Sequence, residues 1–216
     1  MTRLILFMAA FLIASPAWAD YYIWEDPKTH LTVSFPDTWE QQTNRNPTDI
    51  LTVVAPSKNA DPVCKIKAEE DSRYTIFPPQ YGKAVQKDAV SIPFWQSYMG
   101  HYDEYDIGRV YDGGGLGRWI ASYANFSYST RDGLAMQSRR GIAFASLYYN
   151  TLYIVECSSL AHAYEAWDKN FRSVIKSIDF KKIYNEHKMG HYIDFLENTN
   201  RYFWAPSGPE GTIGYN

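Results

Sequence analysis

The sequence predicts an α+β fold in which an antiparallel β-sheet of about six to seven strands is flanked by helices. Three observations indicate this class. Short segments of alternating apolar and polar residues occupy the first third of the chain. A helical pattern follows Pro78-Pro79. A long β-rich stretch then runs from Tyr105 to Cys157, and a second helical pattern comes after it.

The first third contains three predicted strands. Residues 31–35 alternate strictly, with Leu31, Val33 and Phe35 on one face. Further strands are expected over residues 50–55 and 63–68, with Pro, Asn and Asp in the connections.

Two regions carry a helical pattern. Apolar residues recur at helical spacing over 81–90, and Pro93 restarts a short helix that reaches residue 99. A second helix is predicted over residues 159–177. Ser159 is its expected N-cap, and its buried stripe is Ala163, Ala166, Trp167, Phe171, Val174 and Ile175. Residues 178–180 fit either a short strand or the exit of this helix.

The β-rich stretch predicts an antiparallel meander. Its strands are expected over residues 105–110, 118–130, 135–149 and 152–157, with turns at 112–115, 131–133 and 150–151. The glycine run that leads to Arg118 lacks the Gly-Lys-Ser/Thr of a phosphate-binding loop, and the residues after it alternate like a strand. A hairpin connection or a bulge is therefore expected there, with an anion held by Arg118 as the alternative.

Residues 1–19 have the three parts of a secretory signal peptide. Arg3 precedes an apolar run over residues 4–14, which is too short to span a bilayer, and Ala17-Trp18-Ala19 is a small-x-small cleavage site. We expect cleavage to leave a mature chain beginning at Asp20 in the periplasm or outside the cell. Residues 20–180 are then expected to form the α+β domain, and residues 181–216 a C-terminal helix with a loose tail.

Charge and composition exclude some partners. The formal charge is −3, and no run of five or more Lys or Arg residues occurs, so neither nucleic acid nor an anionic membrane is an expected partner. No further membrane span is expected after the signal peptide. Aromatic residues are abundant, at 18 Tyr, 11 Phe and 7 Trp. They indicate either a tyrosine-rich sheet or an aromatic surface for a ligand or partner.

The two cysteines are Cys64 and Cys157. Both lie in strand-like segments of a chain expected to be exported, so a structural disulfide is the favoured interpretation. Unpaired thiols, or a catalytic Cys157 assisted by His162, remain as alternatives. No Cys-x-x-Cys motif is present.

No catalytic set, cofactor site or firm metal site is predicted. His187 and His191 stand four residues apart with Asp194 nearby, which is a weak metal-site candidate. Lys188 occupies the position of the glutamate in a metalloprotease helix, and a solvated polar face is the alternative. There is no Gly-x-Ser-x-Gly around a nucleophile, and the acidic run 69–71 is expected to be a solvated turn.

Two segments resemble the PsbP-like class of lumenal and periplasmic α/β/α sandwich proteins. The segment from Leu31 to Trp39 is similar to the opening strand, proline turn and tryptophan of that class. The segment from Trp167 to Phe180 is similar to its closing helix and final strand. The resemblance implies an accessory, assembly or binding role without catalysis. The two cysteines and the residues beyond Phe180 depart from the pattern.

Together these features predict an exported accessory or binding protein of the cell envelope. Its expected partner is another envelope protein, contacted through aromatic surface and through the predicted helix over residues 184–204. Two alternatives are an envelope hydrolase with an unrecognised site and a small-ligand carrier with an aromatic-lined pocket. Neither the partner nor the oligomeric state follows from the sequence.

Overall fold

The computed structural model describes residues 20–44, 46–76, 81–102, 104–132 and 135–182. The predicted signal peptide, the predicted C-terminal helix and tail from residue 183, and the candidates His187, His191 and Asp194 lie outside these residues. The strands within them are β1 (Tyr21–Glu25), β2 (Thr32–Pro36), β3 (Glu40–Gln41), β4 (Asp49–Val54), β5 (Val63–Glu70), β6 (Glu104–Leu116), β7 (Trp119–Asp132), β8 (Ala135–Tyr148) and β9 (Thr151–Leu160). The helices are α1 (Arg73–Ile76), α2 (Gly82–Ala89), α3 (Ile92–Met99) and α4 (Tyr164–Lys176).

Seven of these strands form one antiparallel sheet in the order β3-β4-β5-β9-β8-β7-β6, and β1 and β2 form a separate two-stranded ribbon. The second half of the chain builds the meander β6 to β9 as predicted. The first half adds β3 to β5 to the free side of β9. The predicted α+β class with a flanked antiparallel sheet is confirmed.

Both faces of the large sheet are covered, which explains why β9 is buried along nearly its whole length and β8 over residues 141–148. Side chains alternate between the faces along each strand. Tyr153, Val155 and Cys157 of β9 lie in the core with α4 and the ribbon. Leu152 and Ile154 lie in a second core with α2 and α3. This two-core arrangement is the predicted α/β/α sandwich.

Buried polar contacts hold α2 and α3 in place over the sheet. Gln86 of α2 is 3% exposed and forms two hydrogen bonds with the backbone of β8, to Ala145 O at 3.2 Å and from Leu147 N at 2.6 Å. Trp95 of α3 donates from Nε1 to Ser122 Oγ at 2.9 Å. These directional hydrogen bonds set the position of α3 relative to β9, and the candidate site lies between these two elements.

The predicted turn at residues 112–115 is wrong, because β6 continues through the glycines to Leu116. Its pairing with β7 shifts register after Ile107 and again after Tyr111, so the bulge alternative is the correct one. A Cβ on Gly114 would come within 2.8 Å of the Tyr123 ring. Glycine is therefore needed here for close packing, and the turn itself falls at Gly117.

The predicted N-cap at Ser159 is also wrong. Ser158 and Ser159 are buried in β9, opposite Gly141 and Arg140 of β8. Pairing with β8 extends β9 past Ser159, although the local sequence there favours a helix cap. Helix α4 therefore begins at Tyr164, after a 3₁₀ turn. Strands β1 and β3 and helix α1 were not predicted.

The closing segment after α4 is anchored by Phe180. Its ring stacks on Tyr153 with centroids 4.4 Å apart and on Tyr148 at 5.1 Å. Arg118 donates from Nε to Phe180 O at 2.8 Å. Asp179 forms a single antiparallel bridge with Thr32 of β2, which favours the short-strand interpretation of residues 178–180.

Replacing Gly117 with Ala is expected to destabilise the fold by about 2–4 kcal/mol. The backbone there has a φ of +57°, and a Cβ would lie 2.6 Å from the Phe180 ring. Gly100→Ala is the control, since φ at this helix C-cap is −63°. Urea unfolding followed by circular dichroism gives both values. Equal losses in the two variants would contradict the packing role given to Gly117.

Candidate functional site

The predicted cysteine pair forms a disulfide within the sheet. Cys64 of β5 and Cys157 of β9 stand directly opposite each other with Cα atoms 4.1 Å apart, and their sulfurs are bonded. Both residues are 0% exposed. This confirms the structural disulfide and rules out Cys157 as a free nucleophile, because the described residues contain no free cysteine. The Nε2 atom of His162, which was the expected assistant of a catalytic Cys157, lies 3.0 Å from Asn59 O.

The glycine run does not build an anion site with Arg118. The Arg118 guanidinium lies 2.7 Å from Asp179 Oδ2 and also binds the Phe180 carbonyl. No helix begins after the run, since β7 follows at Trp119. Arg118 therefore fastens the closing segment to the turn between β6 and β7.

The acidic run contains one structural ion pair. Glu69 and Glu70 end β5, and Asp71 follows them. Asp71 accepts from Arg73 Nε at 2.9 Å and from the Arg73 backbone amide at 3.0 Å. The Arg73 side-chain hydrogen bond lowers the pKa of Asp71 below its usual value, against the opposing effect of burial. The predicted turn at residues 69–71 therefore leads into α1, which begins at Arg73.

The strongest polar constellation among the described residues is one that the sequence analysis missed. Glu156 of β9 is 2% exposed. Its Oε2 accepts a hydrogen bond from the Tyr98 hydroxyl at 2.7 Å, and its Oε1 accepts one from the Tyr102 hydroxyl at 2.6 Å. We call these three residues the Glu156 cluster.

The Glu156 cluster forms because of two local periodicities. Alternation along β9 directs Glu156 to the α3 side of the sheet, between Ile154 and Ser158. Tyr98 and Tyr102 are four residues apart at the end of α3, where helical spacing places side chains on one side. A bond from the Tyr102 amide to Met99 O at 3.0 Å extends the helical turn beyond the last residue of α3.

A lysine and an aspartate flank the cluster. Lys67 Nζ lies 4.9 Å from the centroid of the Tyr98 ring and 3.9 Å from Asp49 Oδ1. The Asp49 side chain is 5% exposed, and its Oδ1 accepts no hydrogen bond from the described residues. The Lys67 ammonium is therefore the charge that offsets Asp49 at this largely buried position.

Burial keeps the tyrosines of the cluster protonated. It raises the pKa of Tyr98 well above its ordinary value, and the negative charge of Glu156 raises it further. The pKa of Tyr102 is raised by the same two causes in the same order. Both hydroxyls therefore act as hydrogen-bond donors to the carboxylate, whose two oxygens are each occupied. The arrangement stabilises a buried negative charge.

A second polar contact, made by the buried side chain of Arg139, lies on the same face of the sheet as Glu156. The side chain of Arg139 is 6% exposed and forms an ion pair with Asp61 of the β4–β5 connection. Its Nη2 also donates to Asp61 O at 2.6 Å. Tyr128 OH and Ser158 Oγ lie 2.9 Å apart beside it. Arg139 thereby fastens the connection to the ends of β8 and β9.

One signal in the sequence pointed to Glu156. The segment Leu152–Cys157 was predicted as a strand, and Glu156 is its single charged residue, in line with the apolar Leu152 and Ile154. A charge at an inward position requires a partner. Its partners Tyr98 and Tyr102 come from the end of α3, which is distant in sequence, so the local pattern did not identify them.

Among the comparisons with known proteins, the search of solved structures found similar chains. No family model and no curated protein sequence matches this chain. Cyanobacterial PsbP from Synechocystis sp. PCC 6803 is similar in structure, with a TM-score of 0.47 and 12% identity over 77% of this chain and 96% of that one. LpqN of Mycobacterium tuberculosis, described as involved in cell envelope biogenesis, has a TM-score of 0.45 and 12% identity over 74% and 90%.

The Saccharomyces cerevisiae Ran-binding protein Mog1p has a TM-score of 0.45 and 8% identity over 75% of this chain and 96% of that one. The described residues form the α/β/α sandwich that the resemblance of the two sequence segments implies. The similarity concerns the fold alone.

Tyr98→Phe is expected to lower the free energy of unfolding by about 1.5–3 kcal/mol, because a buried carboxylate loses one of its two donors. Combining it with Glu156→Gln should give a total loss smaller than the sum of the single losses. Tyr105→Phe is the matched control, because Tyr105 is 42% exposed. Urea unfolding of the four variants measures the coupling, and strict additivity would contradict the described hydrogen bond.

The Asp71–Arg73 pair predicts a dependence of stability on pH. Because the folded pKa of Asp71 lies below its unfolded value of 3.8, the pair stabilises the fold above that value. The contribution is lost as pH falls through the folded pKa. Asp71→Asn should therefore lower stability by about 0.2–1 kcal/mol at neutral pH and by less near pH ~2.

Asp106→Asn, at an exposed position of β6, is the control for Asp71→Asn and should change little at either pH. Urea unfolding at the two pH values checks both variants. A deficit in Asp71→Asn that persists unchanged in acid would show that the ion pair is not its cause.

Proposed function

We propose that this protein is an exported, non-enzymatic accessory or binding protein of the cell envelope. It works through contacts of its surface with an envelope protein, and its interior polar groups serve the fold.

The disulfide supports the export part of the proposal. Cys64 and Cys157 are separated by 93 positions and are bonded in the middle of the sheet. On the chain-entropy model, closing a loop of this length stabilises the fold by about 4–5 kcal/mol. Such a bond persists in oxidising compartments and is rare in the cytosol. The expected cleavage before Asp20 would leave β1 intact, since this strand begins at Tyr21.

The Glu156 cluster supports the non-enzymatic part of the proposal. Glu156 is the most buried carboxylate in the described residues, and both of its oxygens accept hydrogen bonds from tyrosines that burial keeps protonated. A general base needs an oxygen that can reach a substrate proton, and a nucleophilic carboxylate needs a free approach. The geometry of Glu156 supports a structural role in place of either.

The exposed apolar side chains support a binding role. Ile76 of α1 is 70% exposed, Ile92 of α3 is 58% exposed, and Met136 of β8 is 50% exposed. Tyr81 and Tyr105 are 51% and 42% exposed. Aromatic residues and methionine are enriched at protein–protein interfaces. No described helix has the length and apolar character needed to cross a membrane.

Cell fractionation of the full chain in its own host tests export. We expect it in the envelope fraction with the leader removed before Asp20 and with Cys64 and Cys157 bonded, as read by intact mass with and without thiol labelling. A cytoplasmic protein with two free thiols would contradict the proposal.

Cross-linking in the intact envelope, followed by affinity capture and mass spectrometry, tests binding. We expect one stoichiometric protein partner whose recovery falls at least about tenfold in Ile92→Asp. Gln96→Asp, one turn along α3 and also exposed, is the matched control and should keep the partner. A monomer without a partner, or equal loss in both variants, would contradict the binding role at this helix.

A further inference from the structure

Strand β1 presents an open edge. It pairs with β2 in unbroken antiparallel register from Tyr21↔Pro36 to Glu25↔Thr32. The ribbon contains these two strands, and no other described strand pairs with the outer side of β1. Its outward amide and carbonyl groups are therefore available for a further strand.

Of the three other edges of the described sheets, that of β2 is bridged to Asp179, and those of β3 and β6 are protected in ways that β1 is not. Strand β3 is only two residues long. Strand β6 shifts register twice against β7 and contains four glycines. Short length and bulges both hinder the addition of a strand. Strand β1 has five residues in regular register, so it is the accessible edge.

The residues on β1 are apolar as well as exposed. Ile23 is 70% exposed, Tyr21 is 56% exposed and Tyr22 is 50% exposed. The Tyr22 ring contacts Phe35 at 5.6 Å between centroids, so Tyr21 and Ile23 lie on the opposite face. An open edge with three consecutive exposed apolar residues is the kind of surface that proteins cover.

The path of the chain places a covering segment close by. The Asp179 amide donates to Thr32 O, and the Thr32 amide donates to Asp179 O, both at 2.9 Å. Residues 178–180 thus lie against β2 on the side away from β1. With about 4.8 Å between neighbouring strands, some 15 Å separates this segment from the outer side of β1. About five extended residues cover that distance, and residues 183–216 follow.

We propose that the segment 183–216 of the same chain covers the open edge and the exposed face of β1. The segment has apolar residues to bury there. Its aromatic residues up to Trp204 are Tyr184, Tyr192, Phe195, Tyr202, Phe203 and Trp204. Their burial against Tyr21 and Ile23 removes apolar surface from water on both sides. The proposal does not rest on the proposed function.

A covering segment of the same chain is favoured over a second copy for two reasons. Self-pairing of two β1 strands joins five residues from each copy, whereas a stable interface uses about 20–30 residues a side. A tethered segment also acts at an effective concentration in the millimolar range, so a modest contact suffices.

Limited proteolysis of the full chain with chymotrypsin tests the proposal, with mass spectrometry locating the cuts. Cleavage after the aromatic residues at 192–204 should be slow in the wild type and at least about tenfold faster in Ile23→Lys. Ile76→Lys is the matched control, because Ile76 is also 70% exposed but lies on α1. It should change the rate less than about twofold. Equal acceleration in both variants would overturn the proposal.

Hydrogen exchange of the full chain provides the reciprocal measurement. The β1 amides that point away from β2 should be protected equally at about 1 µM and about 100 µM protein. Protection should be lost when Tyr202, Phe203 and Trp204 are all changed to Ser. Unprotected amides in the wild type, protection that rises with concentration, or protection that survives the triple change would each overturn the proposal. The second of these outcomes would identify a second copy as the occupant.

Discussion

The pairing of β5 with β9 is the contact on which the rest of the structure depends. Every other neighbouring pair in the seven-stranded sheet is consecutive in sequence. Strands β5 and β9 pair over eight positions, from Val63↔Ser158 to Glu70↔Thr151, and join the two halves of the chain. Ordering so long a loop is entropically costly, and the Cys64–Cys157 bond lies within this pairing. The Lys67 side chain that flanks the Glu156 cluster belongs to β5, so it reaches the Tyr98 ring only once this pairing has formed.

The parts of the fold that the sequence predicted are those set by local periodicity. Strict alternation over residues 31–35 identified β2, and the repeat of apolar residues over 81–90 identified α2. The stripe of α4 was correct at Phe171, Val174 and Ile175, which are all buried. The disulfide was predicted from the expected export of the chain together with the strand-like segments around both cysteines. Each of these inferences used residues close in sequence or a chemical constraint that acts at any distance.

The parts that the sequence did not predict are those in which tertiary contacts override a local preference. Glycine at position 114 is used for close packing under Tyr123 and not for a turn. Ser159 has the composition of a helix cap, but its backbone pairs with Arg140 of β8. The Glu156 cluster combines β9 with the end of α3, about 55 positions earlier, and nothing in either segment alone indicates the other.

The buried charges and the disulfide specify the same register. Side chains alternate along a strand, so a slip of β9 by one residue exchanges its two faces. Glu156 would then enter the apolar core on the α4 side of the sheet, which Val155 and Cys157 occupy in the native register, and an unpaired carboxylate there costs several kcal/mol. The same slip would move Cys157 away from Cys64. A buried ion pair or carboxylate adds little net stability when it is satisfied, but it strongly disfavours every arrangement in which it is not. Glu156 therefore contributes more to the choice of one fold than to the depth of its free-energy minimum.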